Sequence, residues 1–467
     1  MPTHPRDSRR AFLKKVAATS ALSGSLAPML QGAVAETLRM PDHSRISPND
    51  TVRIATIGMG IIGFIDTDTA LQVPGVELVA AADLYEGRRI HVKEVYGNHI
   101  DTYVDYREIL ARTDVDAVLI CTPDHWHVPI AKDALRAGKA VYCEKPMVHQ
   151  VEEGLGLIQV QKETGKVFQV GSQYASSILY AKAHELYKEG AIGTLNMIEA
   201  ITNRNSATGA WQYSIPTDAS EETVDWDRFL GSAPKRPFDA KRFFRWRNYW
   251  DYGTATAGDL YVHLFTGIHR TLDAIGPTDI VAQGGLRFWK DGRDVPDVLL
   301  SLFAYPETEM HPAFNMSLQT NFVDGQGGGF HFKFIGDEGV ITVGGSSVTV
   351  ERNARAKESI SNLMTGYNSA RTFSNAQQKL LEAELRKNYV EPVGPPLNSE
   401  MTFNAPRGYD DRFDHFTYFF DSIRNGRPVF EDATFGFRAA APTLLANMSY
   451  VNHKPYVWDP KAMKITG

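Results

Sequence analysis

Val52-Arg53-Ile54-Ala55-Thr56-Ile57-Gly58-Met59-Gly60-Ile61-Ile62-Gly63 decides the fold. Its first six residues read as a buried strand, and three glycines follow at the G-x-G-x-x-G spacing. The first glycine permits a tight turn, the second lets backbone approach a pyrophosphate, and the third lets a helix pack on the strand. N–H groups of a helix opening at Ile61 and Ile62 would meet phosphate charge. The spacing alone is a weak signal because glycines also mark plain turns, but its context is right. A second strand, Val76 to Ala82, ends in Asp83, where an acidic group would bond the adenosine ribose hydroxyls. A carboxylate there repels a 2′-phosphate, which favours NAD over NADP, although Arg88 and Arg89 stand nearby. The competing reading of Asp83 is a strand-end cap.

The alternation continues. Residues 106–112 read as a short helix, and Val115 to Cys121 as a strand delivering Thr122-Pro123-Asp124-His125-Trp126-His127. A helix from Val128 to Ala137 closes at Gly138. The strand Ala140 to Cys143 then stops at Glu144-Lys145-Pro146, since proline has no N–H for a ladder. Strands and helices in this order give a doubly wound parallel sheet, and ligands sit at the carboxyl ends of its strands. Lys145 at such an end can serve as a catalytic cation.

Glycine turn, Thr122-Pro123-x-x-x-His127 and Glu144-Lys145-Pro146 together resemble the glucose–fructose oxidoreductase/inositol dehydrogenase (Gfo/Idh/MocA) family. The resemblance runs on through Val224-Asp225-Trp226-Asp227-x-x-Leu230-Gly231, Trp250-Asp251-Tyr252-Gly253, Asp259-x-x-x-His263, Phe435-Gly436-x-Arg438-Ala439-Ala440 and Trp458-Asp459-Pro460, covering about residues 50–460. It implies a Rossmann domain over 51–170 and an α+β domain over 171–460, built on a large, mostly antiparallel sheet that often pairs across subunits. Strands at Leu195–Ile201, Val298–Tyr305, Phe314–Phe322, Phe330–Ile335, Gly339–Val343 and Val348–Arg352 agree with that expectation. Gly325 to Gly329 reads as a hairpin loop. Residues 354–408 are expected to be an irregular insert with one amphipathic helix near Asn375 to Lys387.

On a helix, Asp259 and His263 share one face. Asp259 would orient the imidazole or bond substrate, His263 would be the general base, and Lys145 would stabilise the alkoxide. Acid–base help of this kind gives roughly 10²–10⁴-fold. An isolated D-x-x-x-H is more often an exposed helix pair, and Glu144-Lys145-Pro146 upstream tips the balance. His125 and Trp126 are candidates to flank the cofactor and His127 to line its nicotinamide site, and the resemblance places Gln173 at the cofactor and Tyr174 at the substrate. His127 serves equally well as a helix-start hydrogen bond. Arg245, Trp246, Arg247 and Tyr249 form a substrate wall or an interdomain seam, and Tyr261 belongs to a Gly258-Asp259-Leu260-Tyr261 stretch like that of NAD-dependent glycosidases.

The remaining composition bounds the partners. With 467 residues and net charge −6, no basic field argues for nucleic acid. The two cysteines, Cys121 and Cys143, lie in apolar runs and read as buried thiols, and no metal-ligand constellation stands out. Ser8-Arg9-Arg10-Ala11-Phe12-Leu13-Lys14-Lys15, the apolar stretch to Leu30 and Ala33-Val34-Ala35 read as a twin-arginine export signal over residues 1–35, followed by a surface arm over 36–50. A periplasmic or otherwise exported location follows, with no membrane span left after cleavage. Such an enzyme lacks a ready NAD pool, so a tightly bound, recycled cofactor is expected. Three activities fit: a sugar or glycoside dehydrogenase; a glycosidase that oxidises, eliminates, hydrates and re-reduces; and a non-catalytic sugar-binding protein. Loss of Lys145, Asp259 or His263 would mark the third, and all three are present.

Overall fold

A computed structural model describes residues 50–352, 359–388 and 399–467. The export segment, nearly all of the surface arm and parts of the 354–408 insert lie outside the described residues. Six short strands form the first sheet: β1 (Val52–Ile57), β2 (Val76–Ala82), β3 (Asp101–Tyr103), β4 (Ala117–Ile120), β5 (Ala140–Cys143) and β6 (Phe168–Val170). Their order is β3-β2-β1-β4-β5-β6, and every pairing is parallel. The central strands β4 and β5 are buried along their whole length, as a sheet covered on both faces requires. The order reverses between β1 and β4, so the crevice at their carboxyl ends is the place for a ligand.

The chain returns to this sheet from its far end. Helix Asp411–Asn425 lays Phe416, Phe419 and Phe420 into a core shared with Ile54, Leu119 and Tyr142. Tyr142 stacks on Phe416 with ring centroids 4.3 Å apart. Asp410 caps this helix by accepting from Arg412 N.

The second sheet is made of β7 (Leu195–Asn203), β8 (Asp279–Gly285), β9 (Val298–Tyr305), β10 (Phe314–Asn321), β11 (Gly329–Gly336), β12 (Gly339–Val343), β13 (Ser347–Arg352), β14 (Ser399–Asn404), β15 (Tyr456–Asp459) and β16 (Lys464–Ile465). Its order is β14-β13-β12-β11-β7-β10-β9-β8-β15-β16. Helices Val262–Leu272 and Ala433–Asn452 pack with one face in the same core as Phe303, Phe332 and Leu299. Alternation along β9 and β10 places one side inward and leaves the other open.

Two expectations change here. Gly325 to Gly329 does not close a hairpin, because β7 lies between β10 and β11, parallel to the first and antiparallel to the second. Phe314–Asn321 and Gly329–Gly336 both alternate, and local pattern does not reveal that an earlier strand inserts between them. Within 354–408, residues Ser399–Asn404 form a regular edge strand paired with β13 along its length. The amphipathic helix stands at Asn375–Asn388.

Candidate functional site

A cavity of about 330 Å³ runs between the carboxyl ends of the first sheet and the second domain. Gly58, Gly60, Ile61, Ile62, Asp83, Thr122, Pro123, Glu144, Lys145, Gln173, Trp246 and His263 line it, so most of the expected site residues converge on one space. Gly63, His125, His127, Tyr174, Asp259, Arg245, Tyr249 and Tyr261 do not line it.

The glycine turn explains what the cavity can hold. Gly58 has φ +94, and a Cβ there would meet Cys121 O at 2.7 Å. A Cβ at Gly63 would meet Gly58 O at 2.1 Å. The chain's own packing therefore demands both. Gly60 differs: its backbone is ordinary (φ −81), and a Cβ would find only the Arg88 guanidinium, at 3.9 Å. Since Gly60 lines the cavity as the cap of helix Ile61–Leu71, the room in front of it suits a group that closes on the backbone. A pyrophosphate fits that space and the helix N–H groups behind it. Asp83 lines the same wall while accepting from Met59 N at 2.7 Å and Tyr85 N at 2.9 Å. It therefore performs the strand-end role and still presents an anion at the ribose position. Arg88 sits 3.4 Å from that carboxylate, with its guanidinium 5.3 Å from the Phe244 ring.

At the other end of the cavity, Lys145 leaves β5 and crosses to the second domain. Its Nζ donates to Asp259 O at 2.7 Å and to Asp259 Oδ1 at 3.1 Å. Residues Ala257–Tyr261 form a π turn, which departs from the ordinary i→i+4 ladder and recurs at functional sites. Arg247 Nε donates to the same Oδ1 at 3.0 Å. Burial alone would push the Asp259 carboxyl up, but the Lys145 and Arg247 cations hold it well below the usual carboxylate range.

This geometry corrects the expected role of Asp259. No hydrogen bond joins it to His263 among the described residues, and His263 Nδ1 is buried without a partner. Two cations attract the ionised carboxylate through full charges that a neutral imidazole lacks, so the cations take it. His263 is positioned by packing instead, with the Tyr174 ring 5.2 Å away. Burial and the Lys145 charge lower the His263 pKa well below its ordinary value, so the ring is a neutral acceptor. Tyr174 thus acts through His263 and does not reach the cavity.

Beneath Lys145 lies a buried acid pair. Asp66, pushed well up by burial and by the Glu144 charge, holds a proton against the Glu144 carboxylate, whose own pKa is raised by burial. Arg412 Nε stands 3.3 Å from Asp66 Oδ1 and lines the cavity.

The other corrections share one cause, capture by a partner within the protein. His125 Nε2 and Trp126 Nε1 both reach Phe229 O, at 2.8 and 2.9 Å, and clamp helix Trp226–Leu230 to the first domain. Burial lowers the His125 pKa to about 4. His127 contacts Pro146 O and Thr122 O, bracing the loops after β4 and β5. Arg245 donates to Tyr213 O at 2.7 Å and to Gln212 Oε1. Tyr249 is buried under the Arg242 guanidinium, 4.1 Å from its ring. Tyr261, two residues past Asp259, points to the opposite helix face and donates to Leu299 O at 3.0 Å. Tyr213, Phe243, Phe244 and Arg412 line the cavity without having been singled out; only Phe244, with Phe243 beside an Asp-capped helix start, left a local pattern to find.

Comparison with known proteins agrees with this construction. Residues 52–172 match a family described as "Oxidoreductase family, NAD-binding Rossmann fold". Residues 201–280 match the same family's "C-terminal alpha/beta domain". The two matches, to a NAD-binding Rossmann domain and a C-terminal alpha/beta domain described for one oxidoreductase family, follow each other in that order along the chain. An inositol 2-dehydrogenase of Rhizobium meliloti (strain 1021) is 30% identical over 38% of this chain and 55% of its own length. A glycosyl hydrolase family 109 protein of Shewanella baltica (strain OS195) is 32% identical over 34% of this chain and 38% of its own. The matches span about half the length of these curated relatives, or less. Levoglucosan dehydrogenase, solved with NADH and levoglucosan, shares the fold over 87% of this chain and 98% of its own, with TM-score 0.61 and 17% identity.

Gly60→Ala should leave thermal stability unchanged yet weaken NADH binding about tenfold by fluorescence titration, because the added methyl enters ligand space. Gly63→Ala, by contrast, should cost the fold several kcal/mol through overpacking, seen as a lowered Tm.

Proposed function

We propose that this chain oxidises a ring hydroxyl of a sugar or glycoside, the hydride passing to NAD held in the cavity. The convergence of Lys145, Glu144 and a neutral His263 on a space that extends to the glycine turn carries this reading. Bound NAD would supply the hydride acceptor. His263 takes the hydroxyl proton, and the Lys145 ammonium, aimed by Asp259, stabilises the charge left on oxygen. Asp259 is a positioning residue here, since it lies behind the cavity wall.

Redox-neutral glycoside cleavage is the second reading. The 32% identity to a glycosyl hydrolase family 109 protein favours it, and the same three residues would serve the first oxidation. We further propose that the cofactor is retained between turnovers. Arg228, Phe229, Phe243 and Phe244, all from the second domain, close over the Asp83 end of the cavity. Tyr85 OH donates to Asp218 at 2.6 Å and pairs with Val224 as an isolated bridge, fastening that cover. On the outer face of the second sheet, Val281, Leu300 and Leu302 are exposed, the last to 58%. We propose that a second copy of the chain covers this face.

Five outcomes test these proposals. Lys145→Ala and His263→Ala should each lower kcat by about 10²-fold or more with NADH binding retained; near-normal turnover in either removes that residue from the chemistry. Because His263 acts unprotonated and its pKa is depressed, kcat/KM should stay flat through about pH 6.5 and fall only at more acid pH. Lasting absorbance at 340 nm with a glycoside marks the dehydrogenase, and aglycone release without it marks the glycosidase. Leu302→Lys should shift the light-scattering mass to that of a monomer; a wild-type monomer at micromolar concentration rejects the pairing. Finally, Arg9→Lys/Arg10→Lys should strand NAD-loaded protein in the cytoplasmic fraction, and unchanged export would dismiss the twin-arginine reading.

A further inference from the structure

Arg247 lines the cavity with part of its guanidinium unspent. Its Nε is bound to Asp259, and its guanidinium lies 4.2 Å from the Trp246 ring centroid. Its two terminal nitrogens have no acceptor among the described residues and are not sealed from the cavity, which Arg247 and Trp246 both line. The fork is therefore held from one edge and one face, with the other edge free. Because Asp259 Oδ1 is shared, the Arg247 guanidinium is tied through its Nε to the same oxygen as the Lys145 ammonium, and both line the cavity with His263.

Several cations gather at this end of the cavity. Lys145, Arg204 and Arg247 face Asp259 and Asp124. Arg204 donates to Gly209 O and lies against Phe322, with no carboxylate partner among the described residues. Arg412 Nε is instead paired with Asp66, at 3.3 Å. These cations stand beside an arginine edge that has two parallel donors to give. Two parallel N–H groups match the two oxygens of a carboxylate.

Resting on the dehydrogenase reading above, we infer that the substrate is an acidic sugar, with Arg247 binding its carboxylate through a bidentate contact while Lys145 and His263 engage a ring hydroxyl. Arg247 is then the residue that separates acidic from neutral sugars. A neutral pyranose would leave the fork unpaired in a half-buried wall, which lowers its affinity.

Binding and turnover are measured separately on the NAD-loaded enzyme, using methyl glucuronoside, methyl glucoside and glucose 6-phosphate. Calorimetry on the NADH-loaded form should show the glucuronoside binding at least about tenfold tighter than the glucoside, with the gap shrinking in high salt. Arg247→Gln should cut the acid-to-neutral ratio of kcat/KM at least about tenfold, mainly through KM, and Arg247→Lys should restore only part of it. Equal binding of the two methyl glycosides, or a ratio untouched by Arg247→Gln, overturns the inference even where NAD is reduced. Tighter binding of the phosphate than of the uronoside overturns the choice of carboxylate. Selective, Arg247-dependent uronoside binding without NAD reduction upholds the acid site and rejects the dehydrogenase chemistry instead.

Discussion

One carboxylate oxygen, Asp259 Oδ1, holds the site together. It accepts from Lys145, which ends β5 in the first domain, and from Arg247 in the second. A buried charge without partners costs several kcal/mol, and removing one member of a buried ionic set leaves the others exposed to that cost. The lysine cannot be placed by its own strand, since a long side chain at a strand end has many rotamers. Its aim comes from the opposite domain, through the π-turn carbonyl and the Asp259 carboxylate. Domain packing and catalytic geometry are thus one constraint. Arg412 repeats the arrangement elsewhere, carried by helix Asp411–Asn425 to the acid pair of Asp66 and Glu144.

The same ion set governs the imidazole. With Asp259 committed to cations, His263 is left with burial and a neighbouring ammonium, both of which disfavour its charged form. A depressed pKa makes it a weak base, so in the proposed reaction proton removal would lean on stabilisation of the alkoxide by Lys145. Glu144 completes this balance from below. Its carboxylate is buried, shares the Asp66 proton and accepts from Lys145 N at 3.3 Å. A Cβ at Gly171 would lie 2.5 Å from Glu144 Oε1, so the neighbouring strand end must stay bare for the acid to sit there.

Much of this was legible in the sequence, and the part that was not has a common origin. Strands β9 and β12 fall where alternation places them, because period-two patterning is local. Gly58, Gly60, Gly63, Asp83 and Lys145 were legible because turn chemistry and strand ends are local too. Partner choice is not. His125 is taken by a carbonyl 104 residues downstream, and Asp259 by a lysine 114 residues upstream. Nothing beside either residue encodes that competition. The insertion of β7 between β10 and β11 is likewise a long-range pairing, invisible to a window of a dozen residues.

Distance in sequence also explains why the adenosine end is built as it is. Asp83 spends two acceptor positions on Met59 and Tyr85 and so cannot define the ligand alone. Phe229, Phe243 and Phe244 arrive from the second domain, and the His125 and Trp126 bonds to Phe229 O fix that arrival. A ligand in this space would be walled by both domains, and its departure would require the aromatic cover to lift. Since that cover runs directly into Arg245, Trp246 and Arg247, motion at one end must be felt at the fork on the other. The aromatic pair Phe243 and Phe244 and the arginine fork are therefore parts of one continuous segment, anchored at the Asp259 ion set.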